Sequence, residues 1–173
     1  MNLFYIGIDE CYGAPGKYKY EVHVALASNN PIDYQRQRFG FYKKLGRSNH
    51  SIEDVMAELE NRFMAFAILK REKQNNEEIK NRIYPVLILN LLDQISNFGY
   101  NKIKPVNVLI DGQKDPTLLN ILSIPHLNIE FIPQGDTRFK LLNLADLVAY
   151  TISLHSRGLY TGAFERYKLS YQN

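Results

Sequence analysis

Cysteine is almost missing from this chain, which has a single one, Cys11, in 173 residues. One thiol closes no internal disulfide and builds no cysteine-rich zinc site, so the fold must rest on its core. Long apolar runs are missing as well. Each is broken by Asn, Asp or Lys well short of the ~20 residues a membrane-spanning helix needs. The N-terminus leads directly into a strand pattern, without the basic stretch and small-residue cleavage site of a secretory leader, so the expected location is cytoplasmic. Internal repeats and low-complexity segments are absent too. Charge is nearly balanced: 21 Lys and Arg against 18 Asp and Glu, a formal net charge of +3. A pI near 8.9 permits a nucleic-acid partner without demanding one. What is present is ordinary for a folded protein, 45% hydrophobic and 23% charged, and residues 1–173 are expected to form one domain.

The periodicity predicts strands first and then alternating helices and strands. Leu3 to Ile8 reads as a short buried strand, and Tyr18 to Leu26 alternates apolar with polar residues as a half-buried strand does. "CYGAPGK" between them suits a turn joining antiparallel neighbours. "RQRFGFYKKL", roughly 36–45, is a candidate third strand. Ser51 resembles a helix cap, and "FMAFAIL" at 63–69 suits either a strand or the end of that helix. Ile79, Ile83, Leu87, Leu91 and Ile95 predict a long helix running to about Phe98, with Gly99 as its stop. Pro85 is expected to kink that helix or to lie in its first turn. "PVNVLID" is a buried strand, "DPTLLNIL" a short helix, and "LNIEFIP" another strand. The last helix, within "DTRFKLLNLADLVAYTISLH", has Asp136 or Thr137 as its expected cap. The class is α/β, a mixed sheet with an antiparallel edge and a parallel centre.

Two apolar strands end in acids, at Asp9-Glu10 and at Asp111, and a third acid, Asp146, interrupts the apolar "LLNLADLVAY". Parallel strands present their C-terminal ends along one edge, where ligands bind. Neighbouring strands would bring Asp9 and Asp111 together there. A like pair of charges at ~4 Å costs ~4 kcal/mol even at an effective dielectric of ~20. Divalent cations relieve that repulsion, and Mg²⁺ favours a few carboxylates with waters and substrate phosphates. Two such ions about 3.5–4 Å apart can drive phosphodiester hydrolysis, with Asp9 bridging them and Glu10 supporting the second. Plainer readings stand beside this one. Asp9-Glu10 suits the start of a solvated turn, Asp111-Gly112 is a common turn dipeptide, and Asp146 could pair with Lys140, Arg157 or a backbone donor.

These residues carry a resemblance. "YIGIDECYGAPG" is similar to the first-strand motif of ribonuclease HII, where Gly-Ile-Asp-Glu precedes a Gly-rich turn, and "VNVLIDG" is similar to that family's later strand. The order of elements resembles more closely the prokaryotic domain of unknown function 3800, with its Asp-Glu-Ser, a later strand-end Asp, and "ADL" in the last helix. Here those positions read Asp9-Glu10-Cys11, Asp111 and Ala145-Asp146-Leu147. The resemblance implies a ribonuclease-H-like mixed five-stranded sheet flanked by helices and a two-metal nuclease. Asp9, Glu10, Asp111 and Asp146 would then be the catalytic, metal-binding acids, with two Mg²⁺ or Mn²⁺ ions. The chain departs from ribonuclease HII at its Gly-Arg-Gly turn, which senses a ribose 2′-hydroxyl. Tyr12 takes the Arg position here, so selection for a single ribonucleotide is not implied.

Basic and aromatic residues interleave in "RQRFGFYKKLGR", the usual composition of a surface that grips single strands, and equally that of a strand with solvated cations outside. Arg38, Lys43, Tyr12, Lys17, Lys114 and Lys140 are the candidate nucleic-acid contacts, for RNA, DNA or a hybrid. Cys11 as a nucleophile would need a His partner, and His23, His50, His126 and His155 show no recognisable signature. The alternative to a nuclease is an inactive module of the same fold that binds nucleic acid or a protein.

Overall fold

The computed structural model describes residues 4–12, 20–36, 57, 59, 62–70, 76–97, 105–113 and 123–155. These form strands β1 (Tyr5–Tyr12), β2 (Tyr20–Ser28) and β3 (Phe63–Lys70), helix α1 (Asn76–Ser96), strands β4 (Val106–Asp111) and β5 (Leu127–Ile132), and helix α2 (Lys140–His155). Two 3₁₀ turns, Pro31–Tyr34 and Gly135–Thr137, complete the described elements. The sheet order is β3-β2-β1-β4-β5. β2 runs antiparallel to β1 and β3, while β4 and β5 run parallel to β1. This is the expected mixed five-stranded α/β sheet. Its parallel half reaches the β5 edge.

Strand alternation sorts the core into two layers. Ile6, Ile8, Val108 and Ile110 pack against Ile83, Leu87, Leu91 and Ile95 of α1. On the other face Tyr5, Val22, Val24 and Met64 meet Leu141, Leu144, Val148 and Ile152 of α2, and Leu109 meets Leu142. Gly7 sets how closely α2 lies on β1. A Cβ there would stand 2.8 Å from Leu141 Cγ and 3.2 Å from Leu141's carbonyl carbon, so a side chain would push the helix off the strand.

A buried acid braces one end of the α2 layer. Asp33, 1% exposed, accepts hydrogen bonds from Ser28 Oγ at 2.6 Å and from Arg62 Nε and Nη2 at 3.2 Å each. Lys140 Nζ lies 3.6 Å from the same carboxylate. The cluster joins the end of β2, the approach to β3 and the first residue of α2.

Several boundaries differ from the sequence expectation. β1 runs on through Asp9 and Glu10 to Tyr12 instead of ending at Ile8, because β2 keeps pairing with it as far as Tyr12↔Glu21. The 63–69 segment is a strand. Pro85 lies inside α1 and not in its first turn. The packing of Ile83, Tyr84, Leu87 and Ile88 carries the helix through a residue with no amide N–H to donate. The final helix begins at Lys140, not after a cap at Asp136 or Thr137. Those two residues and Gly135 form the 3₁₀ turn, and Thr137 Oγ1 donates back to the Gln134 carbonyl at 2.8 Å. The expected strand at 36–45 lies outside the described residues except for Arg36, which bridges to Phe139. The Ser51 helix cap, the Gly99 stop and the "DPTLLNIL" helix also lie outside them.

Candidate active site

Parity along β1 decides which acid faces which helix. Tyr5 and Cys11 pack in the α2 layer and Ile6 and Ile8 in the α1 layer, so Asp9 faces α2 and Glu10 faces α1. On β4, Leu109 packs against Leu142 of α2, so Asp111 faces α2 as well. Asp146 of α2 lies near enough to act electrostatically on Asp9. Folding therefore gathers Asp9 from within β1, Asp111 from the end of β4 and Asp146 from α2.

Asp9 is 5% exposed, and Glu10's backbone N–H donates to its Oδ1 at 2.8 Å. Burial pushes its carboxyl well above the ordinary range, and the charges of Asp111, Asp146 and Glu10 push it further. Among the described residues no cation stands within ion-pair distance of Asp9 or Asp111. Asp111 is also raised, first by burial and then, against the opposing bond from Gly135, by Asp136 and Glu10. Gly135 N–H donates to Asp111 Oδ1 at 2.6 Å. Gly112 then turns the chain at φ +118°, a conformation that only glycine adopts readily.

Glu10 has a different environment. Lys80 Nζ of α1 is in direct contact with its Oε1, and Tyr84 OH donates to its Oε2 at 2.7 Å. Burial pushes this carboxyl up, but Lys80's charge and hydrogen bond, with help from Tyr84 and His23, hold it below its usual value. His23 pairs with Glu10 across β1 and β2, and its ring lies edge-on to Tyr84 at 5.6 Å. His23 Nε2 lies 2.7 Å from Glu21 Oε1, a fully buried contact at ion-pair distance but not aligned as a hydrogen bond.

The donor set on the α2 face is all carboxylate oxygen, and among the described residues no cation stands within ion-pair distance of Asp9 or Asp111 to offset their repulsion. Both features fit a hard divalent cation. In their present placement, no three His, Cys, Asp or Glu side chains among the described residues are arranged to hold a metal ion. The charge therefore suits a cation, while the side chains do not close on a common point.

The remaining candidates divide. Lys140 is held at the Asp33 cluster, and Tyr12 ends β1. Lys17, Arg38, Lys43 and Lys114 lie outside the described residues. Cys11 is half-buried beside Asp9; burial pushes its thiol up to about 11 against a hydrogen bond from Ser153, and Asp146 and Asp9 add to the rise. That disfavours the thiolate a nucleophile needs.

Asp136, with Thr137 an expected cap, is 5% exposed and raises Asp111. The strand-end rule would have found it, since it follows β5 within the same edge. Asn143, 3% exposed and one turn before Asp146, has neither carboxamide atom hydrogen-bonded. Lys80 and Tyr84 carried no signal, because their spacing along α1 says nothing about the strand they meet.

No protein-family model and no curated protein matches the sequence. Among solved structures, the chain is similar to ribonuclease HII from the archaeon Archaeoglobus fulgidus, determined in complex with PCNA. The TM-score is 0.53 at 16% identity, over 88% of this chain and 72% of that one. At that identity the likeness shows a ribonuclease-H-like fold. No helix among the described residues is long and apolar enough to cross a membrane.

Proposed function

We propose that the chain is a Mg²⁺- or Mn²⁺-dependent nuclease that hydrolyses phosphodiester bonds at the Asp9 edge of its sheet. The observation that carries this reading is Asp9: a buried carboxylate facing Asp111 and Asp146, with no cation among the described residues at ion-pair distance. Folding a protein around such repulsion is costly, and a site that recruits a positive ligand explains it. Asp9, Asp111 and Asp146 would hold the cation, with Asp136 beside Asp111. When bound, a divalent ion in such a site activates water and stabilises the leaving oxygen. The chain's own contributions are positional. The Glu10 and Gly135 amides orient Asp9 and Asp111, and α2 shields Asp9 from water. Water attacks in line, leaving a 3′-hydroxyl and a 5′-phosphate. RNA, DNA or a hybrid is the proposed partner, with Tyr12, Lys17, Arg38, Lys43 and Lys114 as candidate contacts to its backbone and bases.

A second reading, a non-catalytic module binding nucleic acid or a protein, is favoured by Lys80's hold on Glu10 and by the spread of the donors among the described residues. Cleavage of RNA, DNA and hybrid substrates with Mn²⁺ separates the two. Asp9→Asn and Asp111→Asn should each abolish cutting. Full activity in both variants removes the nuclease reading.

A further inference from the structure

Asp9 and Glu10 are adjacent, yet their surroundings carry opposite charge. Two independent features keep Glu10 where it is. β1 stays paired with β2 for two residues beyond it, to Tyr12↔Glu21, so the strand cannot turn there and swing Glu10 toward α2. On the α1 side both carboxylate oxygens are engaged, one by Lys80 and one by Tyr84. Lys80 and Tyr84 are one turn apart on α1 and share a face, with the ammonium 6.0 Å from the ring centre. Tyr84 is fully buried and anchored among Ile8, Ala25 and Leu87 in the α1 layer, so the pair is built into the core and is not a surface encounter. Lys80 and Glu10 side chains are themselves only 21% and 12% exposed.

We infer that the Lys80 ammonium takes the place of a second cation at this site: Glu10 is not a metal ligand, and the protein binds one divalent ion, on the Asp9–Asp111–Asp146 face. For Glu10 to bind a metal it would have to leave Lys80 half-buried without its counter-ion, and a second dication beside that ammonium would be repelled by it. Lys80 is thus a positioning residue, neutralising Glu10 so that its charge does not compete for the ion on the opposite face. The inference rests on the nuclease reading.

Titration calorimetry of Mn²⁺ into the full chain, without nucleic acid, tests it. The wild type should bind one ion, and Glu10→Gln should bind one ion with an affinity within about twofold of wild type. Lys80→Met should expose Glu10 and add a second, weaker binding event. Asp9→Asn should lose binding. Two ions on the wild type, a tenfold or greater loss of affinity in Glu10→Gln, or unchanged stoichiometry in a folded Lys80→Met overturns the inference and leaves the nuclease reading standing. Should Lys80→Met fail to fold, as its melting curve would show, the Glu10→Gln result decides alone. No ion on the wild type overturns the nuclease reading itself, and this inference with it.

Discussion

Asp9→Asn should make the protein more stable while removing its proposed chemistry. Asn is nearly isosteric, and its Oδ1 can still accept the Glu10 N–H bond that Asp9 receives at 2.8 Å. What disappears is a charge that is 5% exposed and repelled by Asp111, Asp146 and Glu10. Relieving such a functional-site conflict is commonly worth about 0.5–2 kcal/mol. In a chain of this size each kcal/mol moves Tm by about 2–4 °C, so the variant should melt about 1–8 °C higher at pH 7 in EDTA. The pH dependence follows from linkage. The folded carboxyl holds its proton above the unfolded value, so the folded state binds more protons and wild-type stability falls as pH rises through that interval. The gap should therefore be small near pH 4, around an unfolded Asp's own pKa, and open toward neutrality. Mn²⁺ at about 100 times its Kd should add about 2.7 kcal/mol to the wild type and nothing to the variant. An Asp9→Asn protein that melts below wild type at pH 7 in EDTA, or a gap independent of pH, would refute the claim that Asp9 is held against electrostatic cost.

Three further outcomes test the frame around that site. Gly7→Ala places a Cβ 2.8 Å from Leu141 Cγ and should destabilise by about 1–3 kcal/mol in urea unfolding; an unchanged midpoint would mean that α2 does not rest on Gly7. Arg62→Ala leaves the buried Asp33 with Ser28 and Lys140 alone, so a loss of about 3 kcal/mol is expected, the low end for breaking a buried pair, and a loss under about 1 kcal/mol would make the cluster incidental. Cys11, with its thiol pushed up to about 11, should be alkylated by iodoacetamide at pH 8 at least about a hundredfold more slowly than glutathione; labelling at the glutathione rate would show an accessible thiolate.

The features legible in the sequence were those that depend on local pattern. β2, β4, β5 and the body of α1 follow from alternation and helical spacing, and the strand-end rule points to Asp9 and Asp111, of which only Asp111 ends its strand. What escaped depends on tertiary pairing. Nothing within "YIGIDECY" says that β2 will keep β1 extended past Ile8, since that is decided by residues 21–24 on another strand. Asp136 or Thr137 is the expected cap because such residues before an apolar run usually are. Here a left-handed Gln134 at φ 55° and a 3₁₀ turn delay the helix, and the acid turns inward toward Asp111. Lys140, a candidate nucleic-acid contact, lies 3.6 Å from Asp33, more than a hundred positions earlier. A lysine's partner is not written in its neighbours.

The extension of β1 is also what gives two consecutive carboxylates opposite properties. Had the strand ended at Ile8, both acids would lie in a flexible turn, free to share one set of partners. Because it continues, parity hands Asp9 to α2, which contributes the acid Asp146, and hands Glu10 to α1, which contributes the base Lys80. Burial pushes both carboxyls up; Asp111 and Asp146 drive Asp9 further, whereas Lys80 and Tyr84 bring Glu10 below its usual value. The negative potential at this edge is therefore one-sided. It is concentrated where Asp111 and Asp136 also lie, and offset by Lys80 on the face where Tyr84 and His23 close the core. On the proposed reading, the acids among the described residues would attract a cation from the α2 side, so the direction from which substrate phosphates could share that ion would be set by the fold before any substrate arrives.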